Sequence, residues 1–307
     1  MTKNSQKRKK QIAKNLTLTF ILIATLLIAV LALLWNSDNG DPLSPPDNGS
    51  QNQTPLPPTE TTPTVNSIFT RPVSISEIND TGYLSLVNHD FAVNQQLFNE
   101  QSMVSAWPTV AVSTTTVTVH QSALNAASDM FDAAREDGIN GLFITSGFRC
   151  TDSQASIFAN GDPNYVMPPG HSEHHTGLAL DILVLGYTMQ QFGATDGARW
   201  LADNAWRFGF ILRYPENAQH ITGIAFEPWH FRYVGQLHAW YMQANNLVLE
   251  EYLEFLQQAE EFTVTFDGIE YHILHQQPQE GKINLPQEKN YVISSDNMGG
   301  FIVIAWS

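Results

Sequence analysis

A single carboxylate, Asp181, interrupts the apolar run LALDILVL at residues 178–185. An uncompensated charge inside a buried strand costs several kcal/mol, so the fold must bring a cation or strong donors to that position. Seven residues upstream, His174 lies in the turn-rich segment PPGHSEHHTG (168–177), where Gly177 can return the loop onto the strand. A metal ion held by both side chains would meet the electrostatic demand. Farther along, Glu227-Pro228-Trp229-His230 supplies another acid and another imidazole. Pro228 excludes a helix interior and pushes Glu227 towards extended geometry, so this is not a helical HExxH arrangement. In a regular strand Glu227 and His230 would face opposite sides, and a bend near Pro228 must bring them into one site.

Two histidines and one carboxylate, with a position left open for water, form a recognised catalytic zinc set, and a further Glu nearby can serve as base. His171 and His175 offer the same chemistry as His174, and spacing does not choose among them. The same set also forms the facial triad of non-haem Fe(II) oxygenases, but that chemistry requires a supply of Fe(II) and a co-substrate.

The pattern around these motifs mixes helices and strands without clean βαβ repeats. Residues 122–137 place Leu124, Ala127, Met130, Phe131 and Ala134 at helical spacing, with Gly138 as a stop. A strand over 141–145, a loop over 146–150 and a helix over 151–159 follow. Next come a strand over 178–184, a helix over 197–208, a strand over 210–214, an extended segment over 226–234 and a long helical stretch over 236–258. The expected fold is α+β, a mainly antiparallel sheet with flanking helices. After Phe262 the runs FTVTF and IEYHI alternate at period two around Asp267-Gly268, the dipeptide of a type I′ hairpin, and alternation returns over 291–294 and 301–306. The last 45 or so residues read as a small β appendage that would be marginal alone and packs on the main domain.

Residues 16–35 (LTLTFILIATLLIAVLALLW) carry no charge, and 20 helical residues span the ~30 Å hydrocarbon layer. Six basic residues precede them (Lys3, Lys7, Arg8, Lys9, Lys10, Lys14), which leaves the N-terminus cytoplasmic and the rest of the chain outside. A cleaved secretory signal is the competing interpretation; the apolar stretch exceeds the usual signal core and lacks a clear A-x-A exit. Residues 36–66, rich in Asn, Asp, Pro, Ser and Thr, are too poor in apolar groups to repay ordering and act as an extended tether.

The chain has 15 Lys plus Arg against 30 Asp plus Glu, and with six of the 15 confined to the first 14 positions the remainder is strongly acidic. Phosphate-backbone binding depends on many basic contacts, so nucleic acid is excluded as a partner. Hydrophobic residues make up 43%, enough to fill a core and exclude a wholly disordered chain. One cysteine, Cys150, cannot close an intramolecular disulfide or build a CxxC metal site.

Four blocks occur in order: Ser146-Gly147-Phe148-Arg149 with Gln154; SEHHTGLALD at 172–181; GFILRYP at 209–215; and EPWH at 227–230, continued by Phe231-Arg232-Tyr233-Val234-Gly235. Together they closely resemble the VanY-like zinc D-alanyl-D-alanine carboxypeptidases, strongly over 146–235 and more loosely over 94–258. The resemblance implies that His174, Asp181 and His230 hold Zn²⁺ and that Glu227 is the general base and later acid. It implies that Arg149 stabilises developing negative charge or the substrate carboxylate, while Gln154 and Ser172 line the substrate pocket. The substrate it implies is a peptidoglycan stem peptide that loses its terminal D-Ala. Cys150 departs from the pattern, where a small polar residue such as serine is expected; it reads as a small, buried side chain, neither ligand nor nucleophile.

The expected organisation is therefore a basic cytoplasmic tail (1–15), a single-pass membrane anchor (16–35), a disordered linker (36–66), an extracytoplasmic zinc carboxypeptidase domain (67–260) and a C-terminal β appendage (261–307). Rival functions are an L,D-carboxypeptidase trimming tetrapeptide stems, a D-Ala-D-Ala dipeptidase, and a non-catalytic peptidoglycan-binding module. A dipeptidase acting on cytoplasmic precursor should not be anchored outside, and the presence of every presumed ligand and the base counts against a module that has lost catalysis.

Overall fold

The apolar run around Asp181 becomes an inner strand of a four-stranded antiparallel sheet in the computed structural model, which describes residues 67–307. The expectations for 1–66, including the membrane helix over 16–35, lie outside the described residues. Among the described residues, no helix is long and apolar enough to cross a membrane. Numbered in chain order, β1 is Phe69–Ser74, β2 Leu142–Ser146, β3 Ala179–Val184, β4 Phe210–Leu212 and β5 His230–Tyr233. The sheet runs β2-β3-β5-β4. Ala179 to Leu183 are buried without alternation, because both faces of β3 are covered, and this is why the sequence there is continuously apolar.

One cover is helix α1, Gln121–Glu136, whose Leu124, Ala127, Met130, Phe131 and Ala134 form its buried face as the spacing predicts. They share a core with Ile144 of β2, Leu180 and Ile182 of β3, and Phe231 of β5. Full burial of a side chain such as Met130 or Phe131 contributes about 1.5–3 kcal/mol. The helix opens on His120, whose Nδ1 accepts the Ser122 N–H (3.2 Å), and the chain turns away at Gly138. Helix α2 is Thr151–Phe158; α3 is Asp196–Asn204, prolonged by a 3₁₀ turn at Ala205–Phe208.

Two local expectations change. The stretch over 236–258 is not one helix but two, α4 (Gln236–Asn245) and α5 (Leu249–Ala259). Asn246 adopts a left-handed conformation (φ 52°) that ends α4, and Glu251 Oε2 accepts the Val248 N–H to open α5. The segment over 226–234 is extended only in β5. Pro228 and Trp229 form a turn closed by His230 N–H donating to Glu227 O (3.1 Å), which is the bend that Pro228 demands.

Strands β6 (Glu261–Phe266), β7 (Ile269–Gln276), β9 (Asn290–Ser295) and β10 (Phe301–Trp306) form a second antiparallel sheet, ordered β9-β10-β7-β6. Asp267 and Gly268 both take positive φ, as the type I′ hairpin requires. Strand β8, Lys282–Pro286, leaves this sheet to pair with β1, so the first described strand joins the C-terminal part of the chain. Period two explains why β10 is buried on both faces. Ile302 and Ile304 point into a core with Tyr241 of α4 and Tyr252 and Leu256 of α5, while Val303 and Ala305 pack against Phe69, Ile283 and Leu285.

Candidate metal centre

Register carries Asp181 and His230 together. Asp181 is directly opposite His230 in the β3–β5 ladder and opposite Ser146 in the β2–β3 ladder, where a bulge shifts the register between Ile144 and Ser146. His174 arrives from a 3₁₀ turn, Glu173–Thr176, that Ser172 caps and Gly177 ends at φ 67°. A Cβ at Gly177 would stand 2.9 Å from His120 N and against Met103, so only glycine returns the chain onto β3 here.

One donor atom from each of His174, Asp181 and His230 lies within 4.8 Å of the others, and all three residues are buried. His174 Nδ1 faces Gly147 O at 2.7 Å; a carbonyl only accepts, so Nδ1 carries the proton and Nε2 presents its lone pair. That Nε2 is 3.3 Å from Asp181 Oδ2, and His230 Nδ1 is 3.2 Å from Asp181 Oδ1. Ligand atoms around a tetrahedral zinc ion with bonds of roughly 2.0–2.1 Å are about 3.4 Å apart, so the donor set fits such an ion. The two rings are perpendicular with centroids 4.9 Å apart, which lets both converge without stacking. His171 and His175 are engaged elsewhere. His171 Nδ1 bonds Asn88 O (2.7 Å), and His175 uses both nitrogens, on Arg149 O (2.6 Å) and Gly170 N–H (3.0 Å).

Burial and the charge of Arg149 push His174 down to about 4, so it is neutral at pH 7. Burial would also lower His230, but the hydrogen bond to Asp181 and the facing Glu173 carboxylate outweigh it and raise it to about 9. Burial favours a protonated Asp181, yet the facing His174 and His230 hold it well below the ordinary carboxylate range. A positive charge on His230 thus balances the acids, a task that a divalent ion performs with the proton displaced.

Glu227 stands beside these donors and not among them, with Oε2 3.5 Å from His230 Nδ1. Burial raises its carboxyl to about 8. Arg149 donates from Nη2 to Asp181 Oδ2 (3.0 Å), from Nε and Nη2 to Ser146 Oγ, and from Nη1 to Gln154 Oε1 (3.0 Å). The other end of Gln154 donates to Met167 O (2.6 Å). Ser172 Oγ accepts the His174 N–H (3.4 Å). Gln154 and Ser172 are both buried, and each holds a neighbour of the site in place. Cys150 precedes α2, bonds only Ser153 and is partly exposed, so the expectation of a buried side chain is corrected; it is not among the metal donors.

Sequence reasoning missed a buried group behind His230. Glu173, Arg213 and Arg232 are fully enclosed; Glu173 Oε1 accepts from Arg213 Nε and Arg232 Nη1, both at 2.8 Å. Burial pushes the Glu173 carboxyl up, but the two guanidiniums overcome this and hold it well below the usual range. A signal was present: Arg213 in FILRY and Arg232 in HFRYV are lone charges in apolar runs, as Asp181 is.

A family model described as VanY, D-alanyl-D-alanine carboxypeptidase, matches residues 116–236. A D-alanyl-D-alanine carboxypeptidase of Enterococcus faecium is 37% identical over 177 residues, which are 57% of each chain, so the chain spans little more than half of that relative. Among solved structures, the vancomycin-resistance D,D-dipeptidase VanXYg, in complex with a D-Ala-D-Ala phosphinate analogue, is 28% identical with a TM-score of 0.64, covering 77% of this chain and 98% of the other. The LdcB LD-carboxypeptidase is 34% identical with a TM-score of 0.51, covering 61% and 94%.

Proposed function

From the premise that the chain belongs to the VanY family of D-alanyl-D-alanine carboxypeptidases, we propose that it is a zinc-dependent carboxypeptidase that removes the terminal D-Ala from peptidoglycan stem peptides. The observation that carries this reading is the place of Glu227: a carboxyl beside three convergent metal donors, 3.5 Å from one of them and itself no ligand.

His174, Asp181 and His230 are the residues that hold the zinc ion. Zinc supplies a Lewis acid that acidifies water and polarises a carbonyl. Glu227 takes the proton of the attacking water on its carboxylate and returns it to the departing D-alanine amine, a transfer typically worth ~100 to 10,000-fold. Burial pushes the Glu227 carboxyl up to about 8 in the metal-free protein, and a divalent cation held beside it would favour the ionised form that a base requires. Arg149 presents a planar fork, partly exposed, to the substrate carboxylate or the developing oxyanion. Gln154 and Ser172 belong to the substrate side of the pocket through what they hold, the Arg149 fork and the His174 turn. Residues 16–35 support placing this activity outside a cell membrane, on a single-pass anchor with the linker 36–66 as spacer.

The likeness to LdcB favours a second reading, an L,D-carboxypeptidase acting on tetrapeptide stems. Mass spectrometry of penta- and tetrapeptide stems incubated with the protein distinguishes them. The expected result is loss of one alanine from the D-Ala-D-Ala pentapeptide, abolished by chelator and restored by zinc. Turnover confined to the tetrapeptide selects the second reading, and turnover that survives chelation rejects both.

A further inference from the structure

Glu173 Oε2 and His230 Nε2 are both buried and both lack a hydrogen-bond partner, and they face each other at 3.5 Å. The arginines do not satisfy Oε2. Arg213 spends Nε on Glu173 Oε1 and both Nη atoms on Glu250; Arg232 spends Nη1 on Oε1, Nε on Tyr233 O, and Nη2 on Tyr83 O and Ser85 O. Oε1 is therefore pinned from two sides while Oε2 is left directed at the imidazole. On the opposite edge of that ring, Nδ1 lies among the metal donors. A neutral imidazole carries one proton. If it were on Nδ1, the Nε2 lone pair would face an anionic oxygen inside a fully buried pocket, and Nδ1 could not bind a metal.

We propose that Glu173 is a positioning residue for the metal centre: it accepts the His230 Nε2 proton and so fixes Nδ1 as the nitrogen that faces the metal. The assignment rests on the zinc reading above. The two arginines hold the carboxylate ionised and immobile, so the ring is oriented from behind by a rigid acceptor, as ligating histidines generally are. A carboxylate present only to neutralise Arg213 and Arg232 has no need of an oxygen aimed at a ligand ring.

The test uses the full chain, Glu173→Asp and Glu173→Gln, with zinc affinity measured by chelator competition and ¹H–¹⁵N correlation spectra of the histidine side chains. Glu173→Asp keeps the charge for both arginines but withdraws the carboxylate from His230. Zinc-loaded wild type is expected to show His230 as the Nε2–H tautomer with a slowly exchanging proton. Either variant, with unchanged circular dichroism, is expected to bind zinc ~10–100-fold more weakly and to exchange that proton faster. Wild-type affinity in a folded variant overturns the proposal, as does an Nδ1–H His230. If neither variant folds, the wild-type spectrum decides, and a His230 proton exchanging as fast as that of an exposed imidazole overturns it. A wild type that takes up no zinc overturns the metal reading and this assignment with it, whereas normal wild-type uptake with unaltered variants overturns this assignment alone.

Discussion

Replacing Glu227 by Gln separates the catalytic use of this side chain from its cost to the fold. In the metal-free protein Glu227 is 6% exposed and its carboxyl is raised from 4.5 to about 8. At pH 7 the folded state keeps the proton while the unfolded chain releases it. The sign follows: stability from the protonated acid is complete below pH 4.5 and is lost as pH rises towards 8. At about 1.4 kcal/mol per pH unit, the wild type forfeits about 3 kcal/mol at pH 7 and under about 1 kcal/mol at pH 5. Glutamine has nearly the same shape and no proton to lose. Metal-free Glu227→Gln should therefore melt higher than wild type at pH 7, by roughly 6–12 °C for a domain of this size, with most of the difference gone at pH 5. The same variant should bind zinc and release D-alanine ~100 to 10,000-fold more slowly. Thermal denaturation in chelator at both pH values, with a D-alanine release assay on the zinc-loaded form, measures both effects. Undiminished turnover, or a variant less stable than wild type at pH 7, refutes the role given to Glu227.

Two other perturbations test the geometry. Because His230 is raised from 6.5 to about 9, the folded metal-free protein holds a proton that the unfolded chain gives up, and its melting temperature should fall between pH 6.5 and 9. Measured in the Glu227→Gln background, a flat profile over that range would show that Asp181 and Glu173 do not hold the ring charged. Gly177→Ala forces a side chain into a left-handed turn 2.9 Å from His120 N, a strain of about 1–3 kcal/mol. It should lower both the melting temperature and zinc affinity, since the turn sets His174 against β3, and wild-type values for both would contradict that reading.

Much of the site was legible because its residues violate local expectation. Asp181 is a charge inside an apolar strand, and Pro228 cannot continue either a helix or a regular strand, so the bend between Glu227 and His230 is a local necessity and is found as a hydrogen-bonded turn. The α1 face and the Asp267-Gly268 hairpin follow from periodicity and turn chemistry in the same way. The single helix expected over 236–258 failed at Asn246, where the apolar spacing runs on but the backbone reverses into a left-handed cap.

The amino-acid sequence by itself determined which side chains needed partners: a buried acid, imidazoles in a turn-rich loop, and an acid and imidazole on either side of a proline. Tertiary structure alone decided who those partners are. Asp181 meets His230, 49 residues away, because two antiparallel strands align in one register, and a slip of one residue would turn either side chain to the other face of the sheet. His174 is chosen over His171 and His175 because the fold sets its Nε2 3.3 Å from Asp181 Oδ2, while His171 turns to Asn88 O and both ring nitrogens of His175 are bonded to Arg149 and Gly170. The pairing of β1 with β8 has no local signature, and the lone charges Arg213 and Arg232 in their apolar runs do not reveal that they set the carboxylate of Glu173 behind His230. Propensity and spacing act over a few residues along the chain, whereas register, tautomer and ion pairing are settled by whatever the fold places within a few ångströms in space.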